Sequence, residues 1–361
     1  MKYIIQATCL LFISFSFAFS QEEGSLEETL QNLSADAAGS YLNPIGSGFG
    51  ADLNAGWFHK APQDEKFGFD LEVGFVFMGS QFPSDATHFS TQGNFKFSSA
   101  EAEQILSSDP NWASLPGSLQ DEFKQILASQ AFEVRMEGAT IIGPEEDKIT
   151  ITFPGQTITE PNSQQQIIVE DQVVELPGGG FKDLANLELL PMATPQLSIG
   201  TIYGTQATFR YLPDVPLNDD LGNFKYFGFG LQHNPAAWLP VPLPLDVSAG
   251  FFTQQLKIGK LFKTNTTAFG LNASKQFGFE ALNVTPYAGF MLESSTMEVT
   301  YDFIVNSPSG PLTQEVNFEI EGKNTSRLTL GLSIRFLIIN LNADYNIGKY
   351  NNVSVGINFA I

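Results

Sequence analysis

The C-terminal part of the chain alternates apolar residues with polar or small residues over several successive segments. Leu, Ile or Phe occupies every second position from 328 to 338, and the segments 341–347 and 353–361 repeat the pattern. Shorter segments at 226–232 and 284–293 alternate in the same way. Successive side chains of a β-strand point to opposite faces of the sheet. The alternation therefore predicts antiparallel strands with one apolar face and one polar face.

The length of these strands indicates which kind of all-β fold they form. We count roughly 12 to 14 segments of about 9–12 residues, a length that crosses a bilayer at a tilt. Strands of soluble proteins usually have about 5–6 residues. The polar face carries Arg335, Asn342 and Asp344 among small residues, as expected for a polar lumen. We expect an antiparallel transmembrane β-barrel, with a soluble β-sandwich as the alternative because its strands alternate too.

The first twenty residues have the three parts of a secretory signal peptide. Lys2 supplies the positive charge, residues 4–19 are mostly apolar, and Ala18 and Ser20 are small residues at a cleavage site. The only cysteine, Cys9, lies in this segment, so the mature chain has no cysteine for disulfide, thiolate or zinc chemistry. No later segment has the roughly 18 uninterrupted apolar residues of a spanning helix. Export combined with long alternating strands predicts the outer membrane.

Charge divides the mature chain into two halves. Residues 21–190 contain 27 acidic and 7 basic residues, whereas residues 191–361 contain 12 and 10. This acidity argues against nucleic acid as a partner. The three histidines are scattered, and no motif for a cofactor is present, so we expect neither a metal nor a cofactor.

The N-terminal half is expected to contain helices as well as strands. Ser25 and Glu28 form a capping box at the start of a helix that runs to Leu42, and Asn43-Pro44 ends it. A glycine-rich stretch then leads into a hairpin around residues 61–65. The predicted organisation is a signal peptide (1–20), an N-terminal helix or plug (21–48), the first barrel strands (49–78), an acidic insert with short helices and hairpins (79–190) and the main barrel strands (191–361).

Three charged residues are the candidate site. Arg210 alternates with Phe209 and Tyr211, so it points into the lumen if these aromatic residues face lipid. Arg335 and Asp344 have the same inward parity on later segments. These residues either bind a ligand carboxylate or form an ion network within the lumen.

Other polar motifs favour ordinary structural roles. His233 with nearby serines suggests a lipase, but no Gly-x-Ser-x-Gly elbow is present, so we expect no enzyme. Asp219-Asp220 and the run 145–147 lack calcium-loop spacing and are interpreted as solvated loops. The proline-rich segment 235–246 is interpreted as an extended connector, with Trp238 at a membrane interface.

Five longer stretches of the chain are distinctive: LELLPMATPQLSIGTIYGTQATFRYLP (187–213), ATIIGP (139–144), ELPGGG (175–180), FGFGLQHNPAAWLP (227–240) and SYLNPIGSGFGADLNAGWF (40–58). Together they resemble an uncharacterised family of outer-membrane β-barrel proteins from Gram-negative bacteria. More loosely, the chain is similar to the outer-membrane long-chain fatty-acid transporters. That similarity implies a 14-strand barrel, an N-terminal plug and a path for a hydrophobic ligand.

Two functions follow as expectations. The first is passive uptake or binding of a small hydrophobic compound by the barrel. The second is a structural or adhesion barrel with a filled lumen, whose acidic insert 79–190 binds a partner. Either function implies contact with outer-membrane lipids and lipopolysaccharide and with the barrel-assembly machinery.

Overall fold

The computed structural model describes residues 35–360, except 65–66, 96–98, 108, 130–131, 160–165, 177–178, 182–183, 185–186, 219–221, 241–242, 280 and 308–309. The predicted signal peptide and the start of the predicted helix lie outside the described residues. Two compact units are present. The first holds Leu42–Ala86 and Asn186–Ile361, and the second holds Thr87–Ala185 with the chain up to Tyr41.

The described chain contains three α-helices and eighteen strands. The helices are α1 (Ala35–Asn54), α2 (Ser99–Leu106) and α3 (Gly117–Ser129). The strands of the first unit are β1 (Phe67–Gln81), β8 (Leu189–Ile202), β9 (Thr205–Asn218), β10 (Gly222–His233), β11 (Asp246–Ile258), β12 (Phe262–Ser274), β13 (Phe277–Phe279), β14 (Leu282–Ser307), β15 (Gly310–Glu321), β16 (Ser326–Phe336), β17 (Ile339–Ile347) and β18 (Asn352–Ala360). The strands of the second unit are β2 (His88–Phe95), β3 (Phe132–Ala139), β4 (Thr150–Phe153), β5 (Gln156–Thr159), β6 (Gln166–Val169) and β7 (Gln172–Glu175).

Ten strands of the first unit close into an antiparallel barrel. Around the barrel they follow the order β1, β8, β9, β10, β11, β12, β14, β16, β17 and β18, and β18 pairs with β1 from Glu72↔Ala360 to Ser80↔Asn352. The predicted barrel architecture is confirmed, and its count is ten rather than 12–14. The estimate was too high because part of the alternation belongs to strands outside the closed ring. β14 is 26 residues long, and beyond Val299 it pairs only with β15.

The two faces of the barrel strands differ as the alternation predicts. Along β17, exposed and buried residues alternate without interruption. Outward positions such as Leu330, Leu341 and Ile357 are exposed, whereas inward Asn342 and Ser354 are buried. The apolar faces of these strands are therefore uncovered in the described structure, which contradicts the β-sandwich alternative.

The two open ends of the barrel carry different connections. At the insert rim, β1 ends at Gln81 beside Leu189, and the connection 82–188 begins. At the C-terminal rim, β18 ends, and the connections are 203–204, 234–245, 275–281 and 337–338. The two rims are therefore distinguished by chain connectivity alone.

The prediction that the first barrel strand begins at residue 49 is wrong. Residues 49–54 continue α1, which includes Pro44 and the glycine-rich stretch, and residues 55–64 form an irregular connection to β1. Intrinsic propensity predicts a break at Pro44, but tertiary packing can override propensity. The packing partners of α1 are inward-facing residues of the barrel strands. Only β1 of the expected hairpin is a strand.

The second unit has its own small sheets and helices. β2, β3, β4 and β7 form one antiparallel sheet in that order, and β5 pairs with β6. α2 and α3 lie within the insert 79–190, where short helices are predicted, and Trp112, Phe123 and Leu127 are among the buried residues.

Among the described residues, no helix is both long and apolar enough to cross a bilayer.

Candidate functional site in the barrel lumen

Residues 42–64, the lumen segment, lie inside the barrel. The Ser80 hydroxyl of β1 donates to the Gly48 carbonyl at 3.1 Å and to Asp52 Oδ1 at 2.7 Å, and Asn352 Nδ2 of β18 donates to the same carboxylate oxygen at 2.5 Å. Further along, the Ala61 amide donates to Ser274 Oγ of β12 at 2.9 Å. Because these partners are inward residues of different strands, the lumen segment is held by the barrel wall.

Close approach of helix and wall depends on small residues. A Cβ on Gly48 would lie 2.7 Å from Leu190 Cδ2 of β8, and a Cβ on Gly50 would overlap Ser295 of β14. Any larger residue at these positions would push α1 away from the strands. The glycine-rich stretch, expected to lead into a strand, is thus a packing face of α1.

Arg210 joins the end of α1 to three barrel strands. Its guanidinium is fully buried and donates to the carbonyls of Leu53 and Ala55 at 3.3 and 2.9 Å. It also donates to Gln196 Oε1 at 2.9 Å and Gln254 Oε1 at 3.3 Å. A cation at the C-terminal end of a helix is electrostatically favourable, because the last carbonyls carry partial negative charge.

The indole of Trp57 extends this contact. It lies 4.0 Å from the Arg210 guanidinium, in cation–π geometry, and stacks on Phe252 with ring centroids 5.3 Å apart. Phe58 continues the cluster toward Phe252 and Tyr287, at 6.1 and 6.2 Å. The cluster forms an apolar core within an otherwise polar lumen.

A charged cluster holds the last part of the lumen segment. Lys60 Nζ lies 2.6 Å from Asp70 Oδ2 and 2.7 Å from Glu72 Oε1, and His59 Nε2 lies 3.0 Å from Glu72 Oε2. Burial alone would lower the pKa of Lys60, but the carboxylates of Glu72 and Asp70 outweigh it and hold that pKa above its usual range. The alternation along β1 places Glu72 at an inward-facing position of an otherwise apolar strand. This position could have indicated the charged cluster from the sequence.

The three predicted site residues occupy separate surroundings. Asp344 accepts from the Tyr287 hydroxyl at 2.8 Å and from Asn346 Nδ2 at 2.5 Å. Arg335 is half-buried near the C-terminal rim and donates to the carbonyls of Leu337 and Ala360. No hydrogen bond or ion pair joins these two residues to Arg210 in the described part of the chain. Whether any of them binds a ligand stays a prediction.

Other sequence motifs occupy different places. His233 Nδ1 contacts Thr205 Oγ1 at 3.0 Å at the end of β10. The run 145–147 belongs to the second unit, where Asp147 pairs with His88 at 2.5 Å, and Asp219-Asp220 lies outside the described residues. Within the described residues, no group of three or more His, Cys, Asp or Glu side chains is placed to hold a metal ion.

Sequence reasoning missed a second buried ion pair in the lumen. Arg327 Nε of β16 lies 3.5 Å from Glu293 Oε2 of β14, and both side chains are buried. Strand alternation places both residues at inward-facing positions, so the sequence contained a signal for this pair.

Comparison with solved structures returns several barrels. Vibrio cholerae OmpT with loop L8 deleted is 9% identical, over 81% of this chain and 98% of that chain, with a TM-score of 0.23. Salmonella typhi OmpF in complex with daunomycin is 8% identical, over 81% and 96%, with a TM-score of 0.21. The β domain of the Bordetella autotransporter BrkA is 11% identical, over 81% and 99%, with a TM-score of 0.19. At TM-scores this low, these structures add nothing to the strand pairing described above.

No curated protein matches the sequence. A family model does match, over residues 1–361, and its description is a family of unknown function, DUF6588. This agrees with the expected resemblance to an uncharacterised family. The chain belongs to the DUF6588 family.

Proposed function

We propose that the barrel is embedded in the outer membrane. On the outward face of β14, Leu282, Val284, Phe290 and Leu292 are exposed. Eleven residues from 282 to 292, at about 3.4 Å each and a tilt of about 40°, span about 29 Å, close to the roughly 25 Å apolar band of such barrels. The outward residues then become polar at Ser294, Thr296 and Glu298.

The uncovered apolar surface supports this location. Large exposed side chains recur on nearly every barrel strand, among them Phe227, Phe251, Phe269, Leu332 and Ile357. Soluble monomers rarely expose contiguous apolar patches of more than a few hundred Å². A lipid environment removes this surface from water without a second protein layer.

For the function we propose a barrel with an occupied lumen that serves as a membrane anchor for its insert. The observation that carries this proposal is the burial of Arg210 against the lumen segment. Its donors are engaged by the Leu53 and Ala55 carbonyls and by two wall glutamines, not by open solvent. The residues 87–185 are then the working part, acting as a non-catalytic interaction unit.

Passive uptake of a small hydrophobic compound is the second candidate. The aromatic cluster of Trp57, Phe58 and Phe252 offers apolar surface inside the lumen. However, Trp57 and Phe58 belong to the lumen segment itself, so a path past them requires this segment to move. The inward residues of the wall are mostly polar, which suits packing against a helix end better than passage of an apolar molecule.

Liposome swelling with purified full-length protein tests the proposal. We expect no uptake of small sugars by the wild type, because the lumen segment contacts the inner faces of β1, β8, β9, β10, β11, β12, β14 and β18. The double variant Arg210→Ala/Trp57→Ala removes two of the main contacts and is expected to leak. Swelling by the wild type at the rate of an open porin would contradict an occupied lumen.

A further inference from the structure

The connection between β10 and β11, residues 234–245, is unusually apolar for a loop. Its sequence, NPAAWLPVPLPL, contains no charged residue. Trp238 is 65% exposed and Leu239 is 51% exposed, and Leu243 and Leu245 are exposed as well. A loop in water usually carries polar turn residues instead.

The first part of this connection, residues 234–239, is nevertheless fixed in place. Asn234 Nδ2 donates to the Pro62 carbonyl at 2.7 Å, and its Oδ1 accepts from the Ala236 amide at 3.0 Å, which caps a 3₁₀ helix of Pro235–Trp238. The Asn234 amide also donates to the Gly204 carbonyl at 2.7 Å. The exposure of Trp238 is therefore a property of an ordered segment.

Trp238 is also held in one orientation. Its indole stacks on Tyr203 at 4.9 Å with an angle of 8° between the rings, and its Nε1 donates to His233 Nε2 at 3.2 Å. Phe67 packs edge-on against Tyr203 at 5.3 Å. Trp238 and Phe67, at the two ends of this stack, are both exposed.

The stack continues the apolar band of the barrel at the C-terminal rim. Phe277, Phe279, Phe336 and Ile202 are exposed around the same rim. Trp and Tyr are enriched at membrane–water boundaries, where an apolar ring with one polar group fits. Continuity with the band and the lack of charge favour a lipid leaflet over a protein partner.

We propose that the described parts of this connection, residues 235–240 and 243–245, insert into the phospholipid leaflet at the C-terminal rim, with Trp238 at the boundary between headgroups and acyl chains. This inference rests on the proposed membrane location of the barrel. It adds a lipid contact made by a loop, outside the spanning strands.

Tryptophan fluorescence can test this because the chain has only three Trp residues, and Trp57 and Trp112 are buried. Full-length protein is reconstituted in vesicles of phospholipid brominated either near the headgroup or near the chain end. We expect loss of emission that is stronger with shallow bromine than with deep bromine. This quenching should vanish in Trp238→Phe and persist in the matched control Trp112→Phe.

A second variant separates the two proposals. Phe290→Trp in the Trp238→Phe background places an indole on the apolar band of β14, where bromine on the lipid chains should quench it. Quenching at position 290 but not at 238 would overturn the loop insertion and leave the membrane barrel intact. Loss of quenching at both positions would contradict the membrane location itself. Shielding of Trp238 from aqueous acrylamide without quenching by bromine would mean that protein covers the loop, which also overturns the inference.

Discussion

Arg210 is the residue on which the contact between helix and barrel most depends. It is fully buried, and its partners are neutral carbonyl oxygens and amides. Hydrogen bonds to charged groups contribute about 1.5–3 kcal/mol each to stability, and loss of the donor also leaves buried acceptors unpaired. These four neutral acceptors explain why Arg210 can be buried in the lumen without a carboxylate in hydrogen-bonding contact.

We expect Arg210→Ala to lower the free energy of unfolding by about 3 kcal/mol, because four acceptors lose their donor. Urea unfolding in lipid vesicles measures this. Arg335→Ala is the matched control. Arg335 is half-buried and bonds two backbone carbonyls near the rim, so its loss should cost less than about 1 kcal/mol. Equal effects of the two substitutions would contradict the role assigned to Arg210.

Gly50 gives a second prediction at this scale. A methyl group there would overlap Ser295, so Gly50→Ala should destabilise by about 1–3 kcal/mol through overpacking. Ser295→Gly in the same chain removes the obstacle and should restore much of the loss. The unfolding midpoints of the single and double variants measure this coupling. If the two substitutions lower the unfolding midpoint additively in the double variant, α1 does not pack against β14 at Gly50.

Some of these residues could be foreseen and others could not. The inward direction of Arg210, Arg335 and Asp344 follows from strand parity, and the structure places all three as parity requires. The role of Trp57 could not be predicted. The pattern around it indicates a strand, and its partner Phe252 is distant in sequence. Which inward side chains meet is decided by strand register and by the lumen segment, neither of which periodicity specifies.

At the scale of elements, the alternating strands were predictable, and α1 was not. β16, β17 and β18 follow the period-two pattern closely, because one face of each strand is apolar throughout. α1 contains Pro44 and three glycines between positions 46 and 50, which local propensity assigns to a break. It persists as a helix where Gly48 and Gly50 allow contact with the wall.

The pairing of β1 with β8 makes the insert separable from the barrel. Gln81 and Leu189 are paired neighbours, so residues 83–187 can be replaced by a short turn without moving either strand. We expect the excised protein to retain heat-modifiable migration on a gel after detergent extraction. A control excision that also removes Val76–Gln81 deletes six of the fifteen residues of β1 and should abolish this migration. Failure of the first excision alone would mean that the insert is needed for barrel formation.

At the scale of the whole molecule, the rims suggest an orientation. Outer-membrane barrels have short periplasmic turns and longer extracellular connections. The insert rim carries residues 82–188 and the extension of β14 and β15, whereas the C-terminal rim carries mostly short connections. Only β1 precedes the insert as a barrel strand, and not the expected two. We propose that the insert is extracellular.

Cysteine labelling tests this orientation, because the single native cysteine lies in the predicted signal peptide. Glu122→Cys places a thiol on the exposed face of α3, and Gln276→Cys places one at the C-terminal rim. A membrane-impermeant maleimide should label position 122 in intact cells and position 276 only after disruption of the outer membrane. The reverse pattern would put the insert in the periplasm.

The central claim is that the chain's own helix occupies the lumen of a membrane-embedded barrel. A Cβ on Gly48 would lie 3.8 Å from Leu190 Cβ, the spacing typical of a disulfide. Leu189, next in sequence, is exposed on the outer face of β8. Cross-linking of Gly48→Cys/Leu190→Cys and Gly48→Cys/Leu189→Cys in isolated outer membranes, scored by non-reducing gel migration, is the most direct measurement. We predict an intramolecular disulfide in the first pair and none in the second, whereas no disulfide in the first pair, or equal amounts in both, would contradict an occupied lumen.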